Sequence, residues 1–379
     1  MELKREEEIL SAIHHCVKCK LCSIASFHPN AEWLPLCPSG QYYGYQAFYA
    51  PGKMEIFRAI LEDEITEPSD GLLNAVYACT VCGACYEKCK QITSMELGAP
   101  ELFEEMRSEL ASKGWILDAH KSIVDKIKET KNAYGEKYEY KAESTDGNAD
   151  VLYYIGCTAR YRVPEIADAM LGIFDKLGLK YQVMGEEWCC GSVLFRTGQL
   201  EAAKELVAHN IEEIKRSGAK TVVFTCPGCM KTFEKNYPDM GVELVHSTQF
   251  LTRLGTMNLK REDLKAAYHD PCHLGRDLGI YEEPRAVLNE VADVKEMKRE
   301  REQAWCCGSG GGVKSAFDDF ALWSATERLK EAKEAGADAL VSACPFCKRN
   351  LKEAAEKEEI EVYDVVELVN RGLALVNTS

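Results

Sequence analysis

No apolar run in this chain approaches the roughly 18–20 residues needed to span a bilayer, so any work at a membrane must be done through a partner that holds it there. A secretory pattern is missing as well. Met1 to Leu10 is charged and polar with no apolar h-region, and the expected location is the cytoplasm. Positive charge is in short supply: 46 Lys and Arg stand against 61 Asp and Glu, a formal net charge of −15. That balance argues against nucleic acid as a partner. The 379 residues, 46% apolar, are enough for two or three domains with real cores.

Cysteine is abundant instead. Eighteen are present, grouped as CxxC and CC rather than scattered, which reads as metal binding in a reducing compartment and not as a disulfide framework. The stretch Trp188-Cys189-Cys190-Gly191-Ser192 returns as Trp305-Cys306-Cys307-Gly308-Ser309. Adjacent Cα atoms about 3.8 Å apart lie below the usual range for an unstrained disulfide. Each pair has a lone cysteine upstream, Cys157 or Cys272, and a Cys-Pro-x-Cys downstream, Cys226 to Cys229 or Cys344 to Cys347. Five sulfurs in the order C…CC…CPxC, twice, ask for a metal–sulfur cluster in each copy.

Two further runs occupy the first third: Cys16, Cys19 and Cys22 with Cys37 after 14 residues, then Cys79, Cys82, Cys85 and Cys89. CxxCxxC…C is the signature of a 4Fe–4S cluster, and in two-cluster ferredoxins the fourth cysteine of each run ligates the other cluster. Carried over, Cys16, Cys19, Cys22 and Cys89 hold one cluster, and Cys79, Cys82, Cys85 and Cys37 the other. The long gap before Cys37, and Lys90 in place of proline after Cys89, depart from the bacterial pattern. Zinc, the alternative, prefers a two-and-two split. All eighteen cysteines are then assigned.

Around these motifs, Glu2 to His15, Lys53 to Asp63, Leu72 to Ala78 and residues 99 to 130 read as helical. Lys131 to Asp150 lacks periodicity and reads as a linker. From Asp150 onward strands alternate with helices. The strands are Val151 to Ile155, Thr221 to Thr225, Ala266 to Tyr268 and Ala339 to Ala343; the helices are Ile166 to Leu177, Ala202 to Arg216, Arg285 to Val291 and Ala325 to Ala335. Such alternation implies α/β domains with parallel strands, with ligands at the carboxyl ends of those strands. The expected architecture is a mostly helical ferredoxin-like domain (1–130), a linker (131–149) and two duplicated α/β domains (150–256 and 257–379).

Several smaller motifs have two readings. The CPxC pairs are either cluster ligands or redox dithiols, and the recurring extra cysteines favour ligation. Gly308 to Gly312 with Lys314 misses P-loop spacing and reads as backbone making room for a cluster. His269 and His273 are either proton donors to a nascent thiolate or hydrogen-bonded core residues. Trp188 and Trp305 pack against the clusters or stack on a substrate. Arg160, Arg196, Lys231, Arg276, Lys314 and Lys348 either anchor an anionic substrate or offset cluster charge.

The C…CCG…CPxC repeats resemble the cysteine-rich CCG domains of heterodisulfide reductases and of iron–sulfur subunits of lactate, glycolate and glycerol-3-phosphate dehydrogenases. A two-cluster ferredoxin region followed by two CCG domains is similar to the D-type catalytic subunit of membrane-associated heterodisulfide reductase of methanogens. Tyr154-Ile-Gly-Cys157-Thr-Ala and Cys190-Gly-Ser…Arg196-Thr-Gly-Gln199 reinforce that likeness. The resemblance implies two cubane and two noncubane 4Fe–4S clusters. It also implies reduction of the coenzyme M–coenzyme B heterodisulfide between the two noncubane clusters, a role in methanogenesis, and electrons from a partner subunit of cytochrome b or flavin type. Membrane association would then come through that partner. Its other branch implies an electron-relay subunit of a flavin dehydrogenase, whose relay members may lack a cysteine that both copies have here. Anaerobic metal analysis of the fully loaded protein is expected to find iron for four four-iron clusters and no stoichiometric zinc; zinc, or iron for only two, contradicts the cysteine accounting.

Overall fold

The computed structural model describes residues 6–25, 34–137, 142–255, 257 and 259–373. Its first third is helical. Helices Glu6–His14, Ala50–Leu61, Asp70–Tyr77 and Ala99–Ser112 face one another through Ile13, Phe57, Val76, Leu102, Met106 and Leu110. These are the positions the 3.6-residue period puts on one side. The Ser69 hydroxyl caps the third of these helices, accepting from Leu72 N at 3.2 Å. The expected start of the first helix at Glu2 lies outside the described residues. Residues 99 to 130 form two helices instead of one, because Gly114 at φ 75° ends Ala99–Ser112 before Asp118–Thr130 begins.

Two four-stranded sheets follow, every neighbouring pair parallel. The first has the order β2-β1-β3-β4, with β1 Val151–Tyr154, β2 Gln182–Val183, β3 Thr221–Phe224 and β4 Glu243–His246. The second repeats it as β6-β5-β7-β8, with β5 Lys265–His269, β6 Asp293–Lys295, β7 Ala339–Ser342 and β8 Glu361–Asp364. The central strands are buried on both faces, as apolar runs under helices require. Tyr154 lies opposite Phe224 and His269 opposite Ser342, so paired central strands end level. The chain leaves β1 to one side for β2 and returns to the other for β3. That reversal opens a crevice at the carboxyl ends of the central strands.

The two sheet units share one apolar core. The last helix of the first, Ser247–Arg253, packs on Glu282–Val291 of the second, and the last helix of the second, Val365–Gly372, packs on Pro164–Lys176 of the first. Both closing helices start with a capping box, His246 with Gln249 and Asp364 with Glu367. The described residues of 131–150 form neither helix nor strand, yet they are tied down. Cys189 N donates to Lys131 O at 2.9 Å, and Val183 N to Ser144 Oγ at 3.0 Å. Among the described residues no helix is long and apolar enough to cross a membrane.

Arg107 joins all three parts. Fully buried, its guanidinium donates to Val76 O, Tyr77 O and Cys79 O in the helical region, to Arg196 O after the first cysteine pair, and to Gly311 O after the second. The chain passes so close that a Cβ at Gly198 would sit 2.2 Å from Arg107 O. Arg107→Met would orphan five buried carbonyls and is expected to lower stability by at least about 3 kcal/mol. Denaturant unfolding of the loaded protein checks this; a midpoint unchanged from the parent contradicts it.

Candidate metal centres

The first hollow is built on a loop that only unusual backbone allows. Lys18 at φ 57° and Lys20 at φ 64° turn Cys16, Cys19 and Cys22 inward, and helix Ala84–Thr93 adds Cys89. Val17, Ile92 and Met95 form its rim. The second hollow takes Cys79, Cys82 and Cys85 from a loop turned at Val81 and Gly83, and Cys37 from the N-cap of helix Pro38–Tyr43. Each hollow therefore draws three sulfurs from one run and one from the other. Burial, aided by neighbouring sulfurs, pushes the Cys22 thiol up to about 12, and burial pushes Cys37 up to about 11. Four converging sulfurs in each hollow, all unpaired as disulfides, fit a cationic metal core that would stabilise their thiolates.

In the first sheet unit, β1 runs into Cys157 through Gly156 at φ 82°, where a Cβ would meet Cys229 Sγ at 3.4 Å. Cys226 caps helix Pro227–Asn236, with Cys229 in its first turn. Cys189 and Cys190 approach from the loop before Ser192–Arg196, with Cys157 Sγ to Cys189 Sγ at 4.0 Å and Cys190 Sγ to Cys229 Sγ at 3.3 Å. The second unit repeats this. Cys306 touches Cys272 and Cys307, Cys307 touches Cys347, and Cys344 caps helix Pro345–Ala355. Gly191 N and Gly308 N each donate to the first sulfur of their pair, at 3.4 and 3.5 Å. Asn210 and Asn350 hold the pairs' backbones through Cys189 O and Cys307 O at 3.2 and 2.7 Å.

The groups are not separate. Cys226 of the first five-cysteine set is in side-chain contact with Cys344 of the second, and Cys306 of the second with Cys82 of the ferredoxin-like region. Sulfur thus follows sulfur from the second hollow, at Cys82, to Cys157, the one cysteine of the two five-cysteine sets that is not buried.

The six basic candidates are each engaged. Arg160 pairs with Glu187 at 3.5 Å, Lys231 with Asp277 at 2.7 Å, and Lys348 with Glu165 and Glu367 at 2.8 and 2.6 Å. Lys314 pairs with Asp318 at 2.6 Å and with Glu353. Arg196 lies 4.0 Å from Glu104 and donates to Ser192 O at 3.2 Å. Arg276 donates to backbone carbonyls, among them Cys82 O at 3.0 Å and Glu302 O at 2.9 Å. Arg196 and Lys231 gather with His273 and Asp277 beside Cys226. Lys348 follows Cys344 by one helical turn, its N donating to Cys344 O at 2.9 Å.

The histidines differ in tautomer. Arg328 Nε donates to His269 Nδ1 at 3.1 Å, and burial keeps the ring neutral. Its proton is therefore on Nε2, and the histidine lies with the Cys307 and Cys347 sulfurs in a group whose ligand atoms are all within 4.8 Å of one another. His273 Nδ1 instead faces Asp277 Oδ2 at 2.5 Å, and burial, with Arg196 adding, pushes its pKa down to about 4. Near neutral pH that ring carries its proton on Nδ1 and leaves Nε2 as an acceptor.

Trp188 stacks on His209 at 3.7 Å and lies beside Cys189 and Cys157; Trp305 is buried, donating to Ser324 O at 3.0 Å. The glycine run needs a correction. What it makes room for is the loop of the second cysteine run: a Cβ at Gly310 would meet Thr80 O at 2.8 Å and one at Gly311 would meet Cys79 O at 2.6 Å. Sequence reasoning passed over Arg107, Lys53, Asp277 and Glu187. Of these only Asp277, one helical turn after His273, gave a local signal.

The cysteine-rich domain model, CCG, matches residues 151–234 and 266–352, and the 4Fe-4S dicluster domain matches 12–92. The D subunit of the dihydromethanophenazine:CoB–CoM heterodisulfide reductase of Methanosarcina barkeri is 38% identical over 328 residues, spanning 79% of this chain and 78% of its own. The B subunit of the fumarate reductase (CoM/CoB) of Methanothermobacter marburgensis is 33% identical over 318 residues, 81% of this chain and 64% of its own. A hypothetical protein from Helicobacter pylori, solved by crystallography, superposes with a TM-score of 0.58 at 12% identity over 99% of this chain and 73% of that one; the likeness is one of fold. With sulfurs grouped across the two runs, Cys89→Ser is expected to disturb the cluster signal of Cys16, Cys19 and Cys22, and Cys37→Ser that of Cys79, Cys82 and Cys85. Electron paramagnetic resonance of the two variants checks this; each change disturbing its own run's cluster contradicts it.

Proposed function

The chain belongs to the family of iron–sulfur oxidoreductases that includes the D subunit of heterodisulfide reductase, and from that premise we propose that it reduces the coenzyme M–coenzyme B heterodisulfide to two thiols. The observation that carries the reading is the contact of Cys226 with Cys344, which sets two complete five-cysteine sites against each other. In this reading the five-cysteine sets hold noncubane 4Fe–4S clusters and the two hollows hold cubanes. When bound, such clusters supply electrons singly and offer iron to departing thiolates, so a pair of them suits a two-electron cleavage of one S–S bond.

The chain's own residues fit distinct parts of that task. Arg196 and Lys231 near Cys226, and Lys348 one turn after Cys344, would read the charged ends of an unsymmetrical disulfide. Arg160 lies further along the first site and Lys314 beyond the second, while Arg276 serves the Cys82 side. His269 presents an N–H beside Cys307 and Cys347, and His273 an acceptor that takes up a proton before it can give one. The contact of Cys82 with Cys306 joins the hollow of Cys37, Cys79, Cys82 and Cys85 to the second site. The hollow of Cys16, Cys19, Cys22 and Cys89, with exposed Cys19, then faces an electron-donating partner. That partner, of cytochrome b or flavin type, is what would bring a protein placed in the cytoplasm to a membrane. The division into 1–130, 131–149, 150–256 and 257–379 follows the same assignment of tasks.

The test is an anaerobic assay with reduced viologen and the heterodisulfide. The parent is expected to turn over, and Cys190→Ala or Cys307→Ala alone to abolish turnover while both cubane signals stay reducible. A parent without turnover, or one of these variants still active, overturns the reading.

A further inference from the structure

Three cations surround the hollow of Cys37, Cys79, Cys82 and Cys85 without a carboxylate against any of them. Lys53 is 1% exposed; its Nζ donates to Phe48 O and its charge acts on Cys37. Arg107 donates to Cys79 O at 2.6 Å. Arg276 donates to Cys82 O at 3.0 Å. Among the described residues none of the three has a carboxylate oxygen within 4 Å. Two carboxylates act from further away: Glu87 on Arg276, and Glu104 on Arg107, the latter itself held by Lys235 at 2.8 Å and facing Arg196 at 4.0 Å.

A buried cation without a counter-ion is costly, and this chain has acidic residues to spare. Two such cations, Lys53 and Arg107, with the half-buried Arg276 beside them, call for a negative object there. The other hollow is different. Lys18, half exposed, pairs with Glu55 at 2.6 Å, Lys90 beside Cys89 pairs with Glu96 at 2.8 Å, and Cys19 is exposed. Charges so placed are largely cancelled by partners and by water.

We propose that Lys53, Arg107 and Arg276 hold the reduction potential of the inner cluster, at Cys37, Cys79, Cys82 and Cys85, above that of the outer cluster, at Cys16, Cys19, Cys22 and Cys89. The inference rests on the grouping of cysteines in the proposed function and deepens it. An added electron makes a cluster with its thiolates one charge more negative, and cations touching the ligand backbone favour that state. Burial alone works the other way, favouring the less charged form. Three full charges acting through a poorly screening interior outweigh that penalty. One electron lost at the outer site is one gained at the inner, supplied in turn by a one-electron reductant such as reduced viologen. An arriving electron thus rests next to Cys306.

A redox titration of the anaerobic, fully loaded chain followed by electron paramagnetic resonance tests this without any disulfide present. Cys89→Ser and Cys37→Ser assign the two cubane signals. The inner cluster is expected to reduce at the higher potential. Lys53→Met and Arg276→Gln should each lower its midpoint and leave the outer one in place, while Lys53→Arg and Arg276→Lys, which keep the charge, should restore it. Lys18→Gln at the outer hollow should shift neither midpoint at physiological ionic strength. An outer cluster that reduces first, equal midpoints, or an inner midpoint indifferent to both charge removals overturns the inference; so does a shift that the charge-conserving variants share. Heterodisulfide turnover with the potentials reversed sinks this inference alone, and the expected order without turnover sinks the proposed function alone.

Discussion

A guanidinium buried with no acid against it needs carbonyl oxygens, and the position of Arg107 obliges three parts of the chain to supply them. Two come from the last turn of a ferredoxin-region helix, one from Cys79, one from Arg196 and one from Gly311. The planar fork can satisfy five acceptors at fixed angles, which a lysine ammonium cannot. Each acceptor belongs to a segment that begins or ends a cysteine motif, so the demand of one side chain sets the mutual position of the metal-binding loops. Gly198 passes against the backbone of Arg107 itself, and Gly310 and Gly311 lie against Thr80 O and Cys79 O, close approaches that a Cβ would block.

The sulfurs form a row that is buried in its middle and reaches solvent near both ends, at Cys19 and at Cys157. That distribution follows from topology. Cys226, Cys272 and Cys344, at the carboxyl ends of buried parallel strands or at the starts of helices that cover them, are interior, while Cys157 after β1 is half-buried. Those on irregular loops such as Cys16 to Ile24 are not interior.

Much of this was legible in the residues. Apolar β1, β3 and β7 announced themselves because parallel central strands must be apolar on both faces, and the five-cysteine spacing survived duplication nearly intact. The strands β2, β4, β6 and β8 were invisible. Two to four residues long and mixed in polarity, as in Gln182–Val183 and Asp293–Lys295, they are recruited by a neighbour's open edge and not by a pattern of their own. The short helices that begin at Cys157, Cys226, Cys272 and Cys344 were missed because a cysteine reads as a ligand before it reads as a helix start. Lys53 and Arg107 left no trace at all. Nothing in a helical pattern reveals which charged side chain will turn inward, since the groups that accept it lie up to about two hundred residues away, as Gly311 does from Arg107.

The exchange of closing helices between the two sheet units has a consequence for ancestry. A polypeptide with a single unit would expose the surface that receives its neighbour's final helix and would own the helix that fills it. Such a surface is self-complementary, the condition for a closed twofold pair of identical subunits. The chain can thus be seen as a homodimer made covalent, with the partner kept at high effective concentration by a short connection. Fusion also frees the halves to diverge. Arg276 and Glu187, the one reaching back to the ferredoxin region and the other turned to its own strand end, are differences that no pair of identical subunits could keep.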